Sequence, residues 1–203
     1  MKLLVASTNP GKIREFREML GGTGIDYTDL TQYPASPAVE ETGRTFRDNA
    51  CLKASEYARR FKVWTLADDS GLVVDALEGR PGVHSARWAA MHEAGSGDAA
   101  NNALLLRQLA DVSDEHRTAR FVCVLALSDP QGGIVMTAHG AVEGRILREP
   151  RGSNGFGYDP LFFIDAMGQT TAELSPEQKH GISHRGQALR RLRVLIQRVG
   201  ILR

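Results

Sequence analysis

The run KLLVA at residues 2–6 is continuously apolar after its lysine and passes at once into the polar loop STNPGK, residues 7–12. A short unbroken apolar run reads as a buried strand. Asn9 is a good helix cap, Pro10 suits the first helical position, and Ile13, Phe16 and Leu20 then recur at helical spacing until Gly21 and Gly22. A buried strand delivered straight to a capped helix calls for a layered fold in which helices cover a sheet. The rest of the chain keeps mixing the two elements. Residues 23–44 hold turn formers and no clear period, and a second helix starts near Thr45, with Asp48 in capping-box position. Its Ala50, Ala54, Tyr57 and Phe61 form an apolar stripe. VWTLA (63–67) reads as a strand that leads into Asp68 and Asp69, and residues 78–98 are loop-like. A helix over 98–110 is capped by Asp98. Strands are predicted over 119–128, 133–146 and 160–164, with a hairpin turn at 130–133. A helix over about 184–199 turns Leu189, Leu192, Ile196 and Val199 inward. There are no repeats and no low-complexity segments. The predicted class is α/β with antiparallel parts in the middle, built as a single domain over 1–203.

Charge limits the partners. The chain of 203 residues carries 25 Lys+Arg against 24 Asp+Glu, a net charge of +1, so no broad basic face for nucleic acid is expected. A polyanionic ligand must therefore find its cations locally. Cys51 and Cys123 are far apart and in no CxxC spacing, which argues against a disulfide framework and a cysteine zinc site; Cys123, inside an apolar run, reads as core. The opening MKLLVAS is too short for a signal peptide, and no apolar run reaches membrane-spanning length. A cytoplasmic protein without a membrane partner is the expectation.

Four stretches hold candidate chemistry. In STNPGK a strand delivers a polar loop to a helix N-terminus, where free N–H groups and the helix dipole attract anions. Lys12 then sits at the wrong pole for a cation, a cost that a bound anion would offset, although a solvated surface lysine is the ordinary alternative. SHRGQAL (183–189) repeats the anomaly: Ser183 is read as the cap of the last helix, with His184 and Arg185 in its first turn and Lys179 just upstream. GSNGFGYDP (152–160) combines glycines that permit close backbone approach with Phe156 and Tyr158, which could stack on a base; a glycine-rich turn with an aromatic plug is the plain alternative. The acidic pairs Glu40-Glu41 and Asp68-Asp69 offer hard oxygen ligands suited to magnesium. By composition the second pair, followed by Ser70 and Gly71, is an ordinary turn. In an extended segment the two aspartates would point to opposite faces, one toward metal or water and the other holding the loop. The histidines are scattered, without HExxH spacing.

Taken in order, STNPGK, EETGRTFRDNACLKA, LADDSGLVVDALEGRPGVHSARWA, ARFVCVLAL, EPRGSNGFGYDPLFF and TAELSPEQKHGISHRGQAL span residues 7–189 and together resemble the inosine-triphosphate pyrophosphatase family. The resemblance implies hydrolysis of non-standard purine nucleoside triphosphates (ITP, dITP, XTP) to the monophosphate and pyrophosphate. It implies an elongated mixed sheet with helices forming two lobes around a central cleft, a magnesium requirement and a homodimer. By the same resemblance Ser7, Thr8, Asn9, Pro10, Gly11 and Lys12 form the phosphate loop. Glu40 and Asp69 hold magnesium, Asp69 also accepts a proton from the attacking water, and Ser70 touches substrate. Phe156, Gly157, Tyr158 and Asp159 pack against and read the base, and Lys179, His184 and Arg185 complete the nucleotide site. Asn49 and Lys53 face the triphosphate. The loop at 90–98 carries no distinctive signal. Two other readings stay open: a Maf-type pyrophosphatase acting on pyrimidine or modified nucleotides, against which the SHRG block argues, and a non-catalytic nucleotide- or RNA-binding module, which would not need both Glu40 and Asp69.

Overall fold

The computed structural model describes residues 2–21 and 25–199. Along the chain run β1 (Lys2–Ala6), α1 (Pro10–Leu20), β2 (Asp26–Asp29), α2 (Phe46–Phe61), β3 (Trp64–Val74), α3 (Trp88–Met91) and α4 (Gly97–Gln108). Then come β4 (Thr118–Ser128), β5 (Ile134–Ile146), β6 (Phe162–Ile164), β7 (Gln169–Thr170), α5 (Pro176–Ile182) and α6 (His184–Val199). The strands pair in one sheet in the order β2-β1-β3-β4-β5-β6-β7. β1 is parallel to both β2 and β3, with Leu3 opposite Tyr27 on one side and Trp64 on the other. β6 is antiparallel to β5 and β7, so the sheet is mixed and the class is α/β.

The residues divide into two compact units. The first holds residues up to Asp69, Cys123–Gly140 and those from Arg185 on; the second holds Ser70–Val122 and Ala141–His184. In the first unit, strand alternation sorts the core into two faces. Leu3, Val5, Leu66, Cys123, Leu125 and Leu127 share one cluster with Phe16 and Leu20 of α1 and Leu189, Leu192 and Ile196 of α6. Leu4, Ala6, Ala67, Val124 and Ala126 lie in another, with Ala50, Ala54 and Tyr57 of α2. This parity decides where the two aspartates point: Asp68 shares the α1/α6 face with Leu66, and Asp69 shares the α2 face with Ala67. In the second unit Leu72, Val74, Phe121, Ile146 and Phe162 pack with Leu105 of α4, Leu109 just past its end, Tyr158 and Leu161.

Local chemistry explains the helix ends. The Asn9 side chain accepts from the Lys12 N–H at 3.0 Å with Pro10 in the first turn, and Thr45 Oγ1 accepts from Asp48 N–H at 3.1 Å. The hairpin turn after β4 closes through Asp129 N–H to Gly133 O at 3.0 Å. Several expectations are corrected. Asp68 to Gly71 do not form a turn: β3 runs straight through them. The patternless 23–44 segment contains β2. Residues 78–98 contain a 3-10 helix at Gly82–Arg87, then α3 and the start of α4. Ser96 stands at the cap of α4, not Asp98, whose carboxylate goes elsewhere. α5 forms a separate helix before α6, with a reciprocal capping box between Ser175 and Gln178. Gly22 and the Val199 side chain lie outside the described residues. Among the described residues no helix is long and apolar enough to cross a membrane.

Candidate active site

Asp68 is 2 % exposed, and a bare carboxylate there would be costly. It is not bare. Lys12 Nζ pairs with its Oδ1, and the Arg185 Nε donates to its Oδ2 at 3.0 Å. Cys123 Sγ, on the same strand face, approaches Oδ2 at 3.0 Å. Arg185, 1 % exposed, also donates through Nη1 to Glu15 of α1. Two cations and two carboxylates thus balance in the core of the first unit. Burial alone would raise the Asp68 carboxyl; Arg185 and then Lys12 outweigh it and hold it well below the usual carboxylate range. Burial and the neighbouring Asp68 charge push the Cys123 thiol well up, so it is an inert core thiol rather than a nucleophile.

Asp69 points to α2, and its surroundings are of another kind. Lys53 Nζ stands 3.1 Å from its Oδ1 and Asn49 Nδ2 donates to its Oδ2 at 3.3 Å. Lys53 and Asn49 are four apart on one helix face, so one stripe of α2 meets one carboxylate. Lys53 also reaches Glu41 at 2.6 Å, and Asn49 Oδ1 accepts from the Gly43 N–H at 2.8 Å. Asn49 therefore ties the EETG loop to the strand. Burial is the largest influence on the Asp69 carboxyl and raises it; Lys53 and Lys12 pull the other way, and Glu41 adds to the rise. The net result is a carboxylate readier than usual to take a proton. Of the acidic pair, Glu41 is the one brought to Lys53 and Asp69, whereas Glu40 is exposed. Among the described residues no three His, Cys, Asp or Glu side chains form a metal cluster.

The phosphate-loop candidates sit together at the start of α1. Ser7 Oγ accepts from the Asn9 N–H at 3.2 Å, Gly11 is buried, and Thr8 and Pro10 are exposed. Lys12 stays at the positive pole because Asp68 compensates it.

In the second unit the GFGYD stretch forms a compact knot around Asp159. Its Oδ2 accepts from Lys179 Nζ at 2.6 Å and from the Phe156 N–H at 2.8 Å, while Thr171 Oγ1 donates to its Oδ1 at 2.8 Å. Gly155, at φ +80°, has to be glycine, because a Cβ there would lie 2.0 Å from Asp159 Oδ2. Lys179 Nζ lies 5.1 Å from the Phe156 ring centroid. Phe156 is half-buried, whereas Tyr158 is fully buried. Tyr158 is a core residue whose hydroxyl donates to Ser85 O at 2.9 Å, so the expected second stacking ring is corrected to a packing anchor. His184 is buried and stacks on Phe121 at 4.9 Å. Ser70 follows Asp69 in β3, half-buried.

Sequence reasoning passes over Glu15, and within the acidic pair it assigns the metal to Glu40, not Glu41. For Glu15 the one signal is its i,i+3 spacing from Lys12 on α1. For Glu41 the acidic pair was visible, but which member faces β3 depends on the path of the loop.

Known proteins supply independent findings. The Ham1 family model matches residues 3–195. A dITP/XTP pyrophosphatase of Exiguobacterium sibiricum is 54% identical over 192 residues, covering 95% of both chains. One of Desulforamulus reducens is 49% identical over 201 residues, covering 99% of this chain and 98% of that one. Among solved structures, a HAM1 protein from Coxiella burnetii aligns with TM-score 0.85 and 40% identity over 98% of this chain and 99% of that one. A nucleoside-triphosphatase / dITP/XTP pyrophosphatase from Mycobacterium abscessus aligns with TM-score 0.75 and 48% identity over 95% and 98%.

Proposed function

This chain belongs to the Ham1 family, and on that premise we propose that it hydrolyses non-standard purine nucleoside triphosphates (dITP, ITP and XTP) to the monophosphate and pyrophosphate. The observation that carries the reading is the arrangement at Asp69: a buried carboxylate at the end of an apolar strand run, held from two sides by Asn49 and Lys53. Water attacks the α-phosphorus, its proton passes to the Asp69 carboxylate, the bond from the α-phosphorus to the bridging oxygen breaks, and pyrophosphate leaves. Lys12 and Lys53 supply positive charge for the phosphoryl oxygens, an interaction that strengthens as charge develops in the transition state. The loop Ser7–Lys12 offers backbone N–H groups to the phosphates.

Magnesium belongs to this reading. The donor set fits it: hard carboxylate oxygens of Asp69 and Glu41, with the exposed Glu40 next to them on the loop, too few for a closed protein cage but suited to an ion shared with substrate phosphates. When bound, the ion neutralises phosphoryl charge. On the base side, Phe156 supplies a stacking ring. His184 is a donor suited to the 6-oxygen of hypoxanthine and xanthine, where adenine presents an amine; a mismatch in a buried polar site is strongly rejected. Arg185, expected beside it, is instead committed to Asp68 and Glu15 and supports the site from behind. One domain in two lobes, a homodimer and cytoplasmic action on the nucleotide pool complete the proposal.

The test is pyrophosphate release from ITP, dITP, XTP, GTP, ATP and dTTP with magnesium. Release from the first three, with ATP slower by at least about tenfold, is expected. Equal rates on ATP and ITP would remove the donor argument, and a preference for dTTP would favour the pyrimidine-directed reading. Particle mass from light scattering should equal two chains.

A further inference from the structure

The segment that carries Phe156 is gripped by a helix to which the sequence assigned no role. Gly157 donates its N–H to Asp98 Oδ2 at 2.7 Å, and its carbonyl accepts from Asn102 Nδ2 at 2.9 Å. Asp98 and Asn102 are four apart on α4, so a single helix face holds both polar groups of one peptide residue. Gly157 has φ +62°, and a Cβ built there would meet nothing within 4 Å. The glycine thus serves the backbone conformation, not a tight fit, and such a residue is free to adopt others unless something holds it.

The grip is itself anchored. Asn101, the neighbour of Asn102, accepts from the Ala89 N–H at 2.8 Å and donates to Ala86 O at 3.3 Å, which fixes α4 against the 82–91 segment. Tyr158, next to Gly157, donates to Ser85 O at 2.9 Å in that same segment. Ser85 in turn accepts from the Leu72 N–H at 2.9 Å. The links close a ring within the second unit: 85–89, Asn101, α4, Asp98 and Asn102, Gly157, Tyr158 and back to Ser85. Phe156 stands at its rim, its own N–H held by Asp159.

Stability alone accounts poorly for the two side chains. Asp98 is exposed, where a hydrogen bond to a loop N–H contributes little. Asn102 is oriented with its Nδ2 on Gly157 while its Oδ1 stays buried without a hydrogen-bond partner among the described residues. A buried acceptor left in that state is disfavoured, and the orientation is set by the peptide it holds. We infer that Asp98 and Asn102 are positioning residues for base recognition: by locking the Gly157 peptide they hold the Phe156 ring and the Asp159–Lys179 pair in one arrangement toward the purine. This rests on the proposal that Phe156 faces the base. Neither residue touches the reacting phosphates, so their effect falls on binding and selectivity, not on the chemical step.

The experiment compares Asp98→Ala, Asp98→Asn and Asn102→Ala with the wild-type chain. It measures kcat and KM for ITP and GTP with magnesium, and a thermal melt for each. Both alanine variants should raise KM for ITP about tenfold, as for one lost positioning hydrogen bond, and shrink the ITP-over-GTP preference, with kcat within about threefold. Asp98→Asn keeps an acceptor oxygen for the Gly157 N–H and should recover most of the loss. A lower melting temperature with unchanged KM and preference would mean a structural role and overturn the inference. So would a fall in kcat at constant KM, or an Asp98→Asn variant as impaired as Asp98→Ala. No pyrophosphate from ITP with the wild-type chain would overturn the functional reading, and this inference with it; normal wild-type turnover with indifferent variants would overturn this inference alone.

Discussion

One residue step along β3 moves a carboxylate from an ion-pair cluster with Lys12 and Arg185 to a pocket of Lys53 and Asn49. Asp68 has Lys12, Arg185 and Cys123 around it, and Asp69 has Lys53 and Asn49. The same substitution at the two positions should therefore fail in different ways. Asp69→Asn should lower kcat on ITP by roughly 10²–10⁴-fold, the usual cost of lost acid–base assistance. Its stability should hold or rise, because the buried Asp69 carboxylate is disfavoured in its charged form. Asp68→Asn leaves Arg185 and Lys12 with one carboxylate, Glu15, in a buried site, and breaking a buried pair costs about 3–5 kcal/mol. Its first symptom should be an early melt. Kinetics of ITP turnover beside thermal melts of both variants check this; an Asp68→Asn chain that melts normally, or an Asp69→Asn chain above a tenth of wild-type kcat, would be incompatible with it. Alternation makes the divergence of the two aspartates legible in the sequence. Which one meets the cations is not, because Lys12, Arg185 and Lys53 arrive from three helices distant in the chain, and only the strand order tells which helix covers which face.

Among elements, those with local signals were readable: the Asn9-Pro10 start of α1, the Thr45 start of α2 and the apolar run of β1 all form as their residues dictate. Those held by distant partners were not. β2 is a short edge strand of four residues with alternating polarity too brief to show, and it exists because β1 offers it a parallel partner. β3 continues through two aspartates because buried cations meet them. Arg117 is another case of long-range satisfaction. It is 2 % exposed, and its guanidinium donates to the carbonyls of Leu109 at 2.6 Å, Ile146 at 2.8 Å and Leu147 at 2.9 Å. It thereby joins the residues after α4 to the end of β5. Arg117→Ala strands three carbonyls, each costing about 1–3 kcal/mol if left unmet, less whatever water recovers. The expected result is a loss of about 3–5 kcal/mol in denaturant unfolding, with KM for ITP unchanged in the folded fraction. Arg117→Lys, which keeps the charge and can reach fewer carbonyls, should fall between. An Arg117→Ala chain as stable as wild type would show that the three contacts carry no net stability.

For the whole molecule, the balance of charge says when metal is needed. The chain is near neutral, with a net charge of +1, and the buried carboxylates among the described residues already have cations: Lys12 and Arg185 at Asp68, Arg185 at Glu15, Lys53 at Asp69 and Lys179 at Asp159. Folding thus does not wait for an ion to neutralise a cluster of acids, as it does where metal ligands are gathered into a closed site. Among the described residues no such gathering exists. An ion that completes its coordination with substrate phosphates should instead bind in company with the nucleotide. Two melts separate these cases. Without nucleotide, EDTA should shift the melting temperature by less than about 1 °C, because each kcal/mol of stability corresponds to only about 2–4 °C at this size and little is lost. With magnesium and a non-hydrolysable α,β-imido analogue of ITP at about a hundred times its Kd, binding to the folded state adds about 2.7 kcal/mol. That corresponds to a rise of roughly 5–11 °C. Omitting magnesium from the second arm should remove most of the rise. A large drop with EDTA alone would mark a structural metal, and a full rise without magnesium would show that Lys12 and Lys53 hold the triphosphate unaided.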